Sequence, residues 1–313
     1  MAGSVSRSQT TTVFIPTHDH GPLLEYAVRS VLGQTVQDFE ILMVGDGVPP
    51  AARPHVERVA RFDPRIRYFD FPKRGRTGEP HRNGVLAQAN GQVVCYLADD
   101  DLWLPQHLEE MLTLLRDADF AQALTLRVHP GGTKEVLVVD VRQPGFRQLV
   151  VGGSSRIHFS SVGHTVEAFR RLPEGWRETP PGVPTDYYMW KRLLERRDVR
   201  ATSGHRPTVL VFPSPLRAAA SLEERVAETR EWSRRLGDPA FTREVESWTF
   251  SALCAAWLEQ YREAERRLET LERVHESAAG MRQQLDEKER LIRAGWRRWW
   301  SRATSVGPGR QPS

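Results

Sequence analysis

Gln92-Val93-Val94-Cys95-Tyr96-Leu97-Ala98-Asp99-Asp100-Asp101-Leu102-Trp103-Leu104-Pro105 sets an apolar run directly against three consecutive carboxylates. Residues 92–97 follow Gly91, contain β-branched residues and read as a buried strand. Three adjacent Asp side chains repel one another, so a fold that holds them together must supply a cation or hydrogen-bond donors. Asp oxygens suit hard ions such as Mg²⁺ and Mn²⁺, and Mg²⁺ usually takes one or two carboxylates plus phosphate oxygens. Ligands of open α/β sheets sit beyond the carboxyl ends of the strands. The stretch therefore predicts a metal–phosphate site at a strand end. Taken by itself it is read first as a solvated acidic loop, with Asp101 as the N-cap of a helix starting near Pro105. The rest of the chain reverses that preference.

On the N-terminal side, Thr11-Thr12-Val13-Phe14-Ile15 is a strand ended by Pro16, and Leu23, Leu24, Ala27, Val28, Val31 and Leu32 recur at helical spacing. Residues 39–44 form a second strand closed by Gly45-Asp46-Gly47, Pro49 to Phe62 a helix, and Ile66 to Phe69 a third strand. Lys73 to Gly84 carries Gly75, Gly78 and Pro80 among basic residues and reads as a loop. Strands alternating with helices at this interval predict βαβ units and a mostly parallel sheet. On the C-terminal side, Phe120 to Val128, Val136 to Val141 and Leu149 to Val151 read as strands in an irregular half suited to binding an acceptor. Pro180 to Pro184 is a loop leading into a helix that starts at Thr185, and Thr208 to Phe212 is a last strand.

After Ser221 the composition turns to Glu and Arg, and Pro and Gly become scarce until Gly307. Leu268, Leu271, Val274, Ala278, Met281 and Leu285 make a stripe at three- and four-residue steps, which His275, Arg282 and Lys288 interrupt. A packed helical hairpin is therefore expected in preference to a long coiled coil. Trp296, Trp299 and Trp300 lie among arginines with no acidic residue in 291–302. Peripheral membrane contact, or oligomerisation through these helices, stays open as an expectation.

The chain has 313 residues, 39% hydrophobic and 27% charged, enough for one large domain or two modest ones. A formal charge of +4 is too small an excess to imply a nucleic-acid partner. Cys95 and Cys254, far apart in apolar settings, are expected as two buried thiols. No apolar run reaches the length of a membrane span, and Met1 to Thr10 has no apolar signal core. The expected location is cytoplasmic.

Several of these segments, in this order, resemble the inverting GT-A glycosyltransferases of family 2, the group that includes spore-coat polysaccharide synthesis enzymes. Val13-Phe14-Ile15-Pro16-Thr17-His18-Asp19 resembles that family's V-I-I-P-T-Y-N strand end. Ser30 to Thr35 with Asp38-Phe39-Glu40-Ile41 resembles its S-V-L-x-Q-T…D-F-E-I segment, and Val44-Gly45-Asp46-Gly47 its V-D-D-G. Arg82-Asn83 ahead of Ala89-Asn90-Gly91 resembles R-N…A-x-G. Leu97 to Pro105 resembles the L-D-x-D-D-x-W-x-P metal motif, and Asp186 to Leu193 the acid-led E-D-x-x-x-W-x-R helix start. The likeness covers roughly residues 11–215.

It implies an α/β GT-A fold, Rossmann-like with a mostly parallel central sheet, and a C-terminal α-helical extension. The implied organisation is a flexible 1–10 and a transferase domain 11–215, with 11–105 as its nucleotide-sugar half and 106–215 as its acceptor half. A helical extension 221–303 and a disordered tail 304–313 follow. The implied donor is a nucleotide-diphosphate sugar, with UDP favoured, and the implied acceptor is a hydroxyl of unknown origin. Pro16, His18, Asp46, Arg82 and Asp99 fall at nucleotide-sugar positions. Asp100 and His164 fall at metal positions for Mn²⁺ or Mg²⁺, and Asp186 at that of the catalytic base. Ala98 replaces the first acid of the common D-x-D, and Gly45 the first Asp of D-D-G. Two rivals are a sugar nucleotidyltransferase and a non-catalytic scaffold on a degenerate transferase domain. The first would carry a Gly-rich signature where this chain has Pro16-Thr17-His18; the second would lack Asp100 or Asp186.

Overall fold

In a computed structural model, residues 11–153 and 157–304 are described. The expected flexible start and the tail from 305 lie outside them. The chain divides into two units, Met1–Ala252 and Leu253–Ser313. In the first, β1 (Thr11–Thr17), α1 (Gly21–Leu32), β2 (Phe39–Asp46), α2 (Arg53–Val59), β3 (Ile66–Phe71), α3 (Glu79–Leu86) and β4 (Val93–Tyr96) alternate as read from the sequence. Then come β5 (Leu102–Trp103), α4 (His107–Leu115), β6 (Phe120–Val128), β7 (Lys134–Leu137), α5 (Pro144–Val151), β8 (Val162–Thr165), α6 (Val166–Arg170), α7 (Thr185–Leu194) and β9 (Ala201–Val211). They are followed by α8 (Leu222–Arg235) and α9 (Pro239–Thr304).

The strands join one sheet in the order β3-β2-β1-β4-β8-β6-β9-β5, with β7 on β6. β3, β2, β1 and β4 are mutually parallel, β8 is antiparallel to β4 and β6, and β9 is parallel to β6. Successive strand residues face opposite sides, so β1 and β2 feed two cores. Val13, Ile15, Ile41 and Met43 pack with Leu24, Val28 and Val31 of α1. Phe14, Leu42 and Val44 pack on the other face with Tyr96, Val85, Trp176 and Trp190. Burial on both faces is why these strands read as continuous apolar runs.

The differences from the sequence reading have local causes. β1 runs through Pro16 to Thr17. The Phe14 carbonyl accepts from Leu97 N–H (3.1 Å) on the β4 side, and Pro16 faces that same side two residues later, where β4 has already ended at Tyr96. The missing proline N–H therefore forfeits no ladder bond. α3 begins at Glu79, inside the expected loop, because Pro80 is tolerated in a first helical turn. The run 149–151 ends helix α5, opened by Pro144, and is not a strand; short apolar runs do not distinguish the two states. The expected helical hairpin is not formed: α9 is one helix of 66 residues. Pairs such as Arg267 with Glu263 and Arg293 with Glu289 support it at four-residue spacing, and the isolated Gly280 and Gly295 do not break it. In the second unit, Leu268, Leu271, Val274, Met281 and Leu285 are exposed, and so is Cys254, against the expectation of a buried thiol. Among the described residues no helix is long and apolar enough to cross a membrane.

Candidate active site

The carboxyl ends of β1, β2 and β4 converge on a cleft of about 490 Å³. Pro16 lies near the end of β1 and His18 follows it, Asp46 ends β2, Asp99 follows β4, Arg82 comes from α3 and Asp186 from α7; all six line the cleft. Six of the eight residues chosen from the sequence are thus brought together across five elements. Asp100 adjoins this group, and His164 does not.

The Asp triplet divides into three environments. Asp99 accepts from Thr17 Oγ1 (2.7 Å) and meets His20 Nδ1 at 2.9 Å. Asp100 Oδ2 accepts from Ser214 Oγ (2.6 Å) and Arg225 Nη2 (3.0 Å), and stands 3.9 Å from His20 Nδ1. Asp101 accepts from Ser160 Oγ (2.5 Å) and the Phe212 N–H (2.9 Å). Asp101 therefore ties β4 to the end of β9 and does not cap α4, whose N-cap is Gln106. Burial, then Asp101 and Asp99, push Asp100 up to about 6, against the opposing pull of His20 and Ser214. Burial likewise lifts Asp101 to about 6, although Ser160 and Phe212 bond its anion. Burial disfavours the charged ring of His20, yet Asp99 and Asp100 together outweigh it and hold His20 at about 9.

His20, Asp99 and Asp100 each offer a ligand atom within 4.8 Å of the others. One imidazole nitrogen and two carboxylates form a donor set suited to Mn²⁺ and acceptable to Mg²⁺. The residues present thus fit a divalent cation, with His20 in the place assigned above to His164. His164 is fully buried in β8, its Nε2 2.7 Å from Tyr96 Oη, its Nδ1 2.9 Å from the Thr165 carbonyl, and its ring stacked on Phe169. Burial lowers its pKa to about 4. Its alternation along β8 turns it into the aromatic core, so its metal assignment is withdrawn.

On the nucleotide side, Asp46 accepts from Lys73 Nζ (2.5 Å) and the Arg74 N–H (2.9 Å). Gly78 has φ +68°, and a Cβ there would lie 2.6 Å from Asp46 Cγ, so both conformation and approach demand glycine. Arg82 is buried between rings, 4.4 Å over Trp176 and 5.6 Å from Phe159, and donates to Thr77. Burial lowers its pKa to about 10, against Glu79, Tyr96, Asp186 and Asp46. Arg82 Nε and His18 Nδ1 are buried, and neither has a hydrogen-bond partner among the described residues. Such orphaned groups beside a cleft fit a polar ligand.

Asp186 stands in the first turn of α7 and accepts from the Tyr187 N–H (2.8 Å). Glu79, fully buried, holds that turn by accepting from Thr185 Oγ1 (3.2 Å) and from the Thr77 N–H (3.1 Å). Sequence reasoning missed His20, Glu79, Ser214 and Arg225. His20 carried a signal, because it is two residues from His18 on the same strand exit. Ser214 and Arg225 carried none, since only the fold brings them 114 and 125 residues back to Asp100.

Residues 12–155 match the profile of Glycosyl transferase family 2. Over 103 residues the chain is 33% identical to GalNAc(5)-diNAcBac-PP-undecaprenol beta-1,3-glucosyltransferase of Campylobacter jejuni, covering 32% of this chain and 33% of that one. It is 31% identical over 99 residues to the succinoglycan biosynthesis protein ExoW of Rhizobium meliloti, covering 31% of each. The matched segment spans about a third of the length of these relatives. In three dimensions the chain is similar to S. aureus TarS 1-349, with a TM-score of 0.52 at 16% identity over 65% of this chain and 58% of that one. With this profile running through the strands that build the cleft, residues 12–155 are similar to glycosyltransferase family 2, and the chain has a GT-A fold.

Proposed function

We propose that the protein is a divalent-metal-dependent, inverting glycosyltransferase that moves a sugar from a nucleotide diphosphate to an acceptor hydroxyl. The observation that supports this most is the His20–Asp99–Asp100 donor set beside a cleft carrying the orphaned nitrogens of His18 and Arg82. Asp46 and His18 bind the base, with a UDP-sugar favoured, and Asp99 the ribose. Arg82 binds the diphosphate with a charge already desolvated and held by its rings. Asp100 with its neighbours His20 and Asp99 would hold Mn²⁺ or Mg²⁺, which when bound would supply positive charge against the leaving diphosphate. Asp186 accepts the proton of the acceptor hydroxyl as its oxygen attacks the anomeric carbon. The bond to the diphosphate breaks on the opposite face, and one displacement inverts the centre. The working unit extends past residue 215, because Arg225 closes on Asp100.

Incubation with a panel of nucleotide sugars, with and without Mn²⁺, tests this. Cation-dependent release of UDP or GDP supports it, and the absence of release and of any cation-dependent thermal shift with UDP or GDP refutes it.

Asp46→Ala should weaken nucleotide binding several-fold, since a hydrogen bond to a neutral base is worth about 0.5–1.5 kcal/mol net. Calorimetry with UDP measures it; unchanged affinity returns Asp46 to anchoring Lys73 and the Gly78 turn.

We further propose that the Trp- and Arg-rich end of α9 meets an anionic membrane surface, where the acceptor resides. The name of the Campylobacter relative carries a PP-undecaprenol-linked group, and Leu291, Ile292 and Trp296 are exposed. Deleting 291–313 should reduce sedimentation with anionic vesicles and leave donor hydrolysis intact. Equal sedimentation of both forms removes the membrane contact.

A further inference from the structure

We propose that Arg225 is a built-in competitor of the divalent cation, occupying Asp100 until metal and nucleotide diphosphate displace it together. The inference rests on the metal reading above and goes beyond it. The Arg225 guanidinium touches two members of the three-residue donor set. Its Nη2 donates to Asp100 Oδ2 at 3.0 Å, and its Nη1 is 3.4 Å from His20 Nε2. The oxygen it takes is the one facing His20; Ser214 Oγ donates to that same atom and accepts from Arg225 Nη2 at 2.9 Å. The Arg225 and Asp100 side chains are only 14% and 12% exposed, so the pair is shielded from water. Ser214 and Arg225 already occupy this oxygen, and a cation beside it meets the like charge of the guanidinium, so it is Arg225 that gives way.

The helix that delivers Arg225 is anchored without it. Ser221 and Glu224 form a capping box, Arg217 pairs with Glu228 through two 2.6 Å bonds, and Arg230 donates to Tyr26 Oη at 3.0 Å. Displacement is therefore a side-chain exchange on a fixed helix. The free protein keeps Asp100 neutralised and holds metal weakly. A nucleotide diphosphate adds its own oxygens to the cation and tips the exchange. Metal and nucleotide are thereby coupled, each raising the affinity of the other by the same factor.

Mn²⁺ binding to the full chain, read from the electron paramagnetic resonance of free Mn²⁺, tests this directly. Without nucleotide, Arg225→Met should bind Mn²⁺ on the order of tenfold more tightly than the parent, the equivalent of one charge-assisted hydrogen bond. As a second variant, Arg225→Ala should show the same gain, and added ethylguanidinium should reverse it. If the parent binds Mn²⁺ and neither variant binds it more tightly, the competitor role is overturned and the metal reading stands. If neither parent nor variants bind Mn²⁺, with or without UDP, the metal reading falls and this proposal falls with it.

Discussion

Asp186→Asn is expected to retain near-native melting and donor affinity while losing about 10²–10⁴ in transfer rate, the usual worth of a positioned general base. The substitution removes the basic oxygen and little else. The amide oxygen of Asn still accepts from the Tyr187 N–H, which Asp186 does at 2.8 Å. The first turn of α7 is held separately by Glu79 through Thr185. A plain helix-terminal role predicts a different pattern, a stability loss of about 1 kcal/mol with transfer intact. Single-turnover sugar transfer, calorimetry with UDP and thermal melting separate the two. Transfer at close to the parent rate would leave Asp186 as a structural residue and move the search for the base elsewhere in 150–190.

Asp100→Asn should reduce transfer by about 10²–10⁴, because charge stabilisation by a bound cation supplies several kcal/mol and each 1.36 kcal/mol is tenfold. The Mn²⁺-dependent part of the thermal shift with UDP should vanish. The variant should also melt below the parent without any ligand, since it leaves the shielded Arg225 facing a neutral amide. Adding Arg225→Met to Asp100→Asn should restore melting but not transfer. That reversal distinguishes lost chemistry from lost folding. Parent-like transfer in Asp100→Asn would remove the cation assignment.

The sequence made the parallel half legible because its strands are buried on both faces and its helices present one apolar stripe. β1, β2 and β3 pair in chain order, so local periodicity suffices there, and β4 reads as a strand from its apolar run although it returns to pair with β1. The site residues at the ends of those strands were legible for the same reason: Asp46, Asp99 and Asp100 each follow an apolar run. His164 was misread because the run 162–165 does not show which face of β8 is buried, and only pairing with β4 and β6 turns the ring inward. The stretch 149–151 was ambiguous because three apolar residues satisfy either period. Arg225 was beyond sequence reasoning altogether. An Arg in a Glu- and Arg-rich helix looks like any solvated charge until the fold places it on Asp100.

That long reach has a bearing on how the protein is made. The strands presenting Asp99 and Asp100 are complete by residue 101, yet the guanidinium that neutralises Asp100 lies 125 residues later. At about 5–20 residues per second of synthesis, roughly 6–25 s separate the two on the ribosome. Among the described residues β5, next to the triplet, pairs only with β9, Leu102 opposite Leu210. For that interval the nascent chain carries Asp100 without its Arg225 partner, beside a strand whose partner in the sheet is still to be made, and His20 is the cation already in place near the triplet.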